Sequence, residues 1–541
     1  MSGHADTVLR GGRVFTGNVR APWAQALAIR DGRLTVVGDT REVELHAGAA
    51  TQVVELAGET VLPGFHDAHL HMVDAGLSSS LCSLYDLTDS AEQLAAVQHY
   101  AAAHPARSWI EGGGWSMDDY PGGRPGRELL DAVVPDRPVY LETRDGHTAW
   151  VNTRALELAG ITSTTTDPPG GVIDRDASGA PTGTLQESAM NLAWRLLPTP
   201  SVAERAQGIL RAQSQLHALG ITTVQEARLE RPHVEAYRRL AEADELTLNV
   251  EGNLYWSPDR GDEQLDDLFR LRELGQHGKL RLRGAKLFQD GVVENQTAAM
   301  LEPYRDGQGA VTGDTGISMF VPERLDHVVE LLDRHGFQVH VHTIGDRAVR
   351  ETLDAIERAQ RVNGRRDARH HLAHLQFVHA DDLPRFAALG VGANVSPYWA
   401  VSSGYVDELT LPFVSERAAA GMYPFASLLQ AGAVLAGGSD WMVSTANPLE
   451  EIEVAVERAL EPGRPPFLPG ERLTLEQAIR SFTWGGAWVS HLEHQTGTLE
   501  PGMLADVVVL DRDLFDRGSG RISDAAVRLT LAQGRVVYQA P

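Results

Sequence analysis

Leu62-Pro63-Gly64-Phe65-His66-Asp67-Ala68-His69-Leu70-His71 closes a short apolar run with two histidines one residue apart. In a strand, side chains alternate faces, so His69 and His71 project from one side while Leu70 points away. Two imidazoles on one face at a strand end make half of a metal site. In a chain with 21 histidines such a pair decides little by itself. Its meaning depends on whether other strands end in further ligands.

Working outward, the segments that follow alternate between apolar strands and amphipathic helices, the pattern of parallel β/α architecture. Strands are expected at Val61–Phe65, Ile221–Gln225, Leu246–Gly252, Leu280–Phe288, Phe337–His342, His371–Gln376, Val391–Ser396 and Val434–Gly438. Eight is the number that closes a TIM-type (β/α)8 barrel. Helices are expected at Arg324–His335, Asp346–Val362, Asp381–Leu389 and Leu473–Ser481, the last opening with a capping-box pattern, Thr474 to Gln477.

The gap between the first two strands is far longer than a βα loop. Residues 77–218 are therefore expected to form an insertion with helices at Ala91–Ala103 and Val202–Leu219 and a strand near Arg137–Thr143. It leaves the barrel after His71, on the face where barrel enzymes carry their sites. Residues 1–61 and 488–541 read instead as short strands with tight turns, including the hairpin signal Asp31-Gly32. Each end is too thin to bury a core, so the two are expected to pair into one β-sandwich beside a barrel spanning residues 62–487.

Composition narrows the function. With 541 residues the chain can bury a sizeable core, and its formal charge of −25 disfavours nucleic acid or an anionic membrane as partner. A lone cysteine, Cys82, excludes an internal disulfide framework and fits a reducing compartment. No apolar run reaches the roughly 20 residues of a membrane span, and the opening Met1–Asp6 lacks the features of a signal peptide. These observations lead to the expectation of a soluble, cytoplasmic protein; the charge says little about a small substrate, since a local site can differ from the whole surface.

Only Lys279 and Lys286 among the 48 basic residues are lysine. Lys286 lies in an apolar strand, where it is either a snorkelling surface side chain or a lysine carboxylated by CO2, an anionic oxygen ligand able to bridge two cations. His340 and His342 share a face of the fifth strand; His342 is nearer the active face, and His340 is expected to line the barrel or support a ligand. His374 ends the sixth strand, and Asp440 directly follows the eighth. Trp115 and Trp441 could line an apolar pocket.

Taken together these motifs resemble the amidohydrolase superfamily, specifically its YtcJ-like metal-dependent branch, which includes N-substituted formamide deformylases. The resemblance is carried, in order along nearly the whole chain, by residues 62–71, by Asp145-Gly-His-Thr-Ala-Trp-Val-Asn152, by Lys286-Leu-Phe-Gln-Asp-Gly-Val-Val-Glu294, by Val341–Asp346, by Ala373–Gln376, by Gly437–Trp441 and by Gly497–Asp506. Ala373 stands where many relatives carry an acidic residue. The resemblance implies that His69, His71 and Asp440 hold one cation and His342 and His374 a second, with carboxylated Lys286 and a hydroxide bridging them. Zn2+ suits these donors, as do Mn2+ and Fe2+. It further implies that Asp440 shuttles the water proton, that His147 orients the substrate, and that the chain forms a homodimer. The expected reaction is hydrolysis of a non-peptide C–N bond, in an amide or an N-acyl or N-formyl amine. Deamination, lactone or ester hydrolysis on the same site, and a non-catalytic scaffold are the alternatives, because the fold does not select among them.

Overall fold

A computed structural model describes residues 4–85, 87–460, 463–516, 518 and 520–541; Met1–Gly3 of the opening segment lie outside them. Eight parallel strands form the central barrel: β1 (Phe65–Leu70), β2 (Ile221–Leu229), β3 (Asn249–Tyr255), β4 (Leu280–Phe288), β5 (Gln338–Thr343), β6 (His371–His374), β7 (Gly392–Val395) and β8 (Val434–Gly437). Neighbours in the sheet are neighbours in sequence. The last strand returns to the first just beyond β8, where Asp440 N–H donates to His69 O (2.7 Å) and His71 N–H to Trp441 O (2.6 Å).

The first strand is not where the apolar run placed it. Thr60–Pro63 belongs to the terminal sheet, antiparallel to Val507–Leu510 and parallel to Thr7–Phe15. The chain then changes sheet at Gly64, where a Cβ would lie 2.4 Å from Thr222 Oγ1 of β2, and the barrel strand begins at Phe65. One continuous apolar run thus serves two sheets, because both demand buried residues at the crossing. β3 begins at Asn249, three residues later than Leu246, and β6 stops at His374, where His374 and Leu375 turn to φ of +76° and +50°.

Both chain ends meet in the terminal sheet, where strands from residues 7–63 lie beside Val507–Leu510, Val527–Ala532 and Arg535–Gln539. Leu9, Val14, Leu27, Val61, Val507 and Leu531 share its core. At the Asp31-Gly32 turn both residues have positive φ (52° and 74°), as the tightest hairpin turn requires.

Between β1 and β2, the chain builds a separate six-stranded sheet from Cys82–Ser83 to Pro181–Glu187. Helix α1 (Met72–Ser78) leads out to it and α2 (Val202–Ala218), capped by a Ser201–Glu204 box, leads back. The two helices pack so closely that a Cβ on Gly76 would sit 2.1 Å from Gly208 O. The excursion therefore starts and ends at adjacent points on the barrel wall, and its sheet stands over the end where β1 finishes. No helix among the described residues is long and apolar enough to cross a membrane.

Gly438 tests the seam between β8 and β1. A Cβ there would meet His69 Cβ at 2.6 Å and Asn394 Oδ1 at 2.5 Å. Neither can retreat, since His69 lies in a barrel strand and Asn394 donates through Nδ2 to Ala68 O at 2.8 Å. Gly438→Ala is expected to cost about 1–3 kcal/mol, the usual range for overpacking, measured as a lowered denaturant midpoint at unchanged slope.

Candidate metal centre

The seam that closes the barrel also assembles the first ligand group. Asp67 accepts at Oδ1 from the backbone N–H of His69 (3.1 Å) and of Ser439 (3.1 Å), so one buried carboxylate holds β1 and the segment after β8 together. On that frame His69 Nε2 lies 3.3 Å and His71 Nε2 3.2 Å from Asp440 Oδ1, and His374 Nδ1 lies 3.7 Å from Asp440 Oδ2. Ligand atoms of His69, His374 and Asp440 all fall within 4.8 Å of one another. His71 lies just past the end of β1, at the residue that precedes α1, and still reaches the carboxylate. Asp440 and His374 both have positive φ, +54° and +76°, a conformation that non-glycine residues seldom adopt and that concentrates at functional sites.

The remaining expected ligands extend the group along β4 and β5. His342 stands with its ring centroid 4.6 Å from that of His374 and donates Nε2–H to Gly291 O (3.2 Å), which leaves its Nδ1 as a lone pair. Lys286 is fully buried, and its Nζ, 4.8 Å from the centroid of Phe288, has no hydrogen-bond partner among the described residues. Burial pushes it down to about 7, against the pull of Asp440. Burial also depresses His69 to about 3 and lowers His342 and His374 strongly, so these imidazoles are neutral, the form that ligates.

Over this group the inserted sheet places His147, its ring 5.2 Å from that of His342. Its Nδ1 bonds Glu187 Oε2 (2.9 Å), and Glu187 Oε1 accepts from Thr297 Oγ1 (2.7 Å) in the loop after β4. Burial alone would lower His147; the Glu187 and Asp145 carboxylates outweigh it and push it up to about 9. Asp290, buried behind His342 with Oδ1 3.7 Å from Nε2, accepts backbone N–H groups from Ala299, Ile344 and Gly345 and so braces the loop beyond β5.

The sequence assigns Asp290 no role and does not point to Glu187, which ends an interior strand of the inserted sheet, Pro181–Glu187, and has no local signature. Trp115 is a correction. It is fully buried in the core of the insertion, its indole N–H donates to Leu141 O (2.9 Å), and its ring packs edge-on to Tyr120 and Trp150, so it lines no pocket at the barrel mouth. Trp399, which was not singled out, instead stacks on His374 at 5.2 Å and 14°. Trp441 contributes its backbone to the seam, while its half-buried side chain packs on the barrel core.

The donor set fits a divalent cation. His69 Nε2, Asp440 Oδ1 and Lys286 Nζ are all buried without a hydrogen-bond partner among the described residues. Leaving buried polar atoms unpaired costs about 1–3 kcal/mol each, and a cation among them would satisfy the imidazole and carboxylate lone pairs together.

Comparison with known proteins agrees with this chemistry. The model of the amidohydrolase family matches residues 52–538. Protein LONG AFTER FAR-RED 3 of Arabidopsis thaliana is 34% identical over 99% of this chain and 92% of its own length, and an N-substituted formamide deformylase of Arthrobacter pascens is 29% identical over 99% of this chain and 98% of its own. A solved structure of an uncharacterized metal-dependent hydrolase from Pyrococcus furiosus, 29% identical, superposes over 94% of this chain and 99% of its own with a TM-score of 0.70. From the first barrel strand to the terminal sheet, the chain belongs to the amidohydrolase family, enzymes that act on C–N bonds.

Proposed function

We propose that the protein hydrolyses the C–N bond of an amide, or of an N-acyl or N-formyl amine, of a small molecule. The observation that carries this reading is the grouping of His69, His374 and Asp440, with His71 beside the same carboxylate and His342 beside His374, where His69 Nε2, Asp440 Oδ1 and the nearby Lys286 Nζ are buried with no hydrogen-bond partner among the described residues. These residues would hold two divalent cations, Zn2+ best suiting the donors and Mn2+ or Fe2+ being served by the same set. When bound, the cations lower the pKa of water and polarise the scissile carbonyl.

The chain's own residues supply the rest. Lys286, buried and depressed to about 7, presents a neutral amine near neutral pH. The Nζ lone pair would bond the carbon of CO2 as one C=O π pair moves onto oxygen, and the proton lost from Nζ would pass to solvent, which turns an unpartnered amine into an anionic oxygen donor. Asp440 Oδ1 faces His69 and His71, so Oδ2 is the oxygen that takes a proton from the attacking water and returns it to the departing nitrogen. His147, held as a cation by Glu187, donates from Nε2 to the carbonyl oxygen as charge develops on it. A fixed cationic donor suits an oxygen acceptor, which favours acyl substrates over aminoheterocycles. The single, buried cysteine, Cys82, fits a cytoplasmic setting.

A panel of amides, formamides, lactones and aminoheterocycles, offered to metal-loaded protein, tests the reading: turnover confined to C–N acyl substrates is expected. Asp440→Asn should lose at least about 100-fold in kcat, the scale of a lost general acid-base group, and full activity in that variant would remove the proton-shuttle role. His147→Asn is expected to lower kcat/KM by about 100- to 1,000-fold, as loss of one oxyanion donor does. Glu187→Gln should fall between that variant and wild type, because the donor remains but its charge is no longer held.

A further inference from the structure

One buried contact fits neither barrel packing nor substrate handling. His340 Nε2 lies 2.9 Å from His69 Nδ1, with the two rings nearly perpendicular at 82°. Both side chains are fully buried, and strand register explains the meeting: His340 pairs with Lys286 across β4 and β5 and with His371 across β5 and β6, so it lies on the barrel floor directly beneath the ligands. His340 is two residues before His342 on the same face, which is why the sequence left it as a barrel-lining or supporting residue.

We propose that His340 is a positioning residue that fixes the tautomer of His69. Two neutral imidazoles share one hydrogen across such a contact, so either His69 Nδ1 or His340 Nε2 carries it. The other face of His69 decides which. His69 Nε2 stands 3.3 Å from Asp440 Oδ1, yet both atoms lack a hydrogen-bond partner. A hydrogen on Nε2 would point a donor at an unpaired carboxylate oxygen without bonding it; a lone pair there makes nitrogen and oxygen two ligands facing one cation. The lone pair at His69 Nε2 thus places the shared hydrogen on His69 Nδ1, with His340 Nε2 accepting it and the hydrogen of His340 itself on its buried Nδ1. The same logic operates in His342, whose Nε2–H is held by Gly291 O, so that each ligand has one nitrogen committed to the protein and the other free. In His342 the partner is a carbonyl, whereas in His69 it is a neutral imidazole. The backbone of His69 is held separately, by Asp67 and by the seam to Asp440, so loss of His340 frees the ring without moving the strand.

This inference rests on the metal-dependent reading above, and zinc affinity separates the two because it needs no substrate. Zn2+ competition against a chromophoric chelator is to be compared for wild type, His340→Phe and His340→Gln, with melting of the metal-free proteins as the control for folding. The expected result is a 10- to 100-fold weaker affinity in His340→Phe, the usual consequence of losing a ligand's partner, largely recovered in His340→Gln, whose amide oxygen can accept the same hydrogen. Wild-type affinity in His340→Phe would overturn the assignment. Should that variant not fold, 15N-histidine spectra of zinc-loaded wild type decide the matter, with the His69 resonances identified by their loss in His69→Asn. The Nδ1–H form is expected, and the Nε2–H form would overturn the proposal. A wild type that takes up no zinc would overturn both this inference and the metal reading beneath it.

Discussion

Everything at the active end depends on the seam between the first and last barrel strands. The chain crosses from β8 to β1 through two backbone hydrogen bonds that involve His69, His71, Asp440 and Trp441, so three of the four residues that close the barrel are proposed metal ligands. Asp67 bonds both sides of the seam, and the want of a side chain at Gly438 lets them approach. A cation site assembled from distant segments needs its donors fixed to within a fraction of an ångström, and closure of the barrel supplies that restraint. The positive φ of Asp440 is part of the same arrangement, since the surrounding bonds hold a conformation that the residue alone would avoid.

The electrostatic cost of this site is carried by burial and by mutual compensation. Five imidazoles, a lysine and an aspartate lie close together at the barrel mouth and floor, and burial alone would neutralise most of them. The His69, His340, His342 and His374 imidazoles stay neutral, and Lys286 is brought to about 7. Around this group a second tier of buried carboxylates works through backbone and side-chain bonds: Asp67 on the seam, Asp290 behind His342, and Glu187 on His147. The site thus joins three parts of the chain, the barrel, the loop after β4 and the inserted sheet, and the Glu187–Thr297 bond ties the last two together.

Much of this was legible in the sequence because barrel strands repeat a pattern. Apolar runs ending in or just before His69, His342, His374 and Asp440 are local signals, and with four further runs they make the eight strands of the barrel. Strand boundaries were less legible: one uninterrupted apolar run, Val61–Phe65, was split at Gly64 between two sheets, since burial on both sides erases any change in hydrophobicity at the crossing. Glu187 was illegible because its role arises from a contact 40 residues away in sequence. Trp115 misled because a tryptophan's size suits both a pocket wall and a core, and only its satisfied indole N–H separates the two. His340 was visible but ambiguous, because alternation shows which face a residue shares and not what it meets there.

Anomalous diffraction from crystals of protein expressed with zinc, recorded on both sides of the zinc edge, would show whether these residues hold two cations. Two anomalous peaks are expected at the barrel mouth, one among His69, His71 and Asp440 and one between His342 and His374, with density extending from Lys286 Nζ to both. Crystals with no peak at these residues, or with a single peak beside an unmodified Lys286, would contradict it.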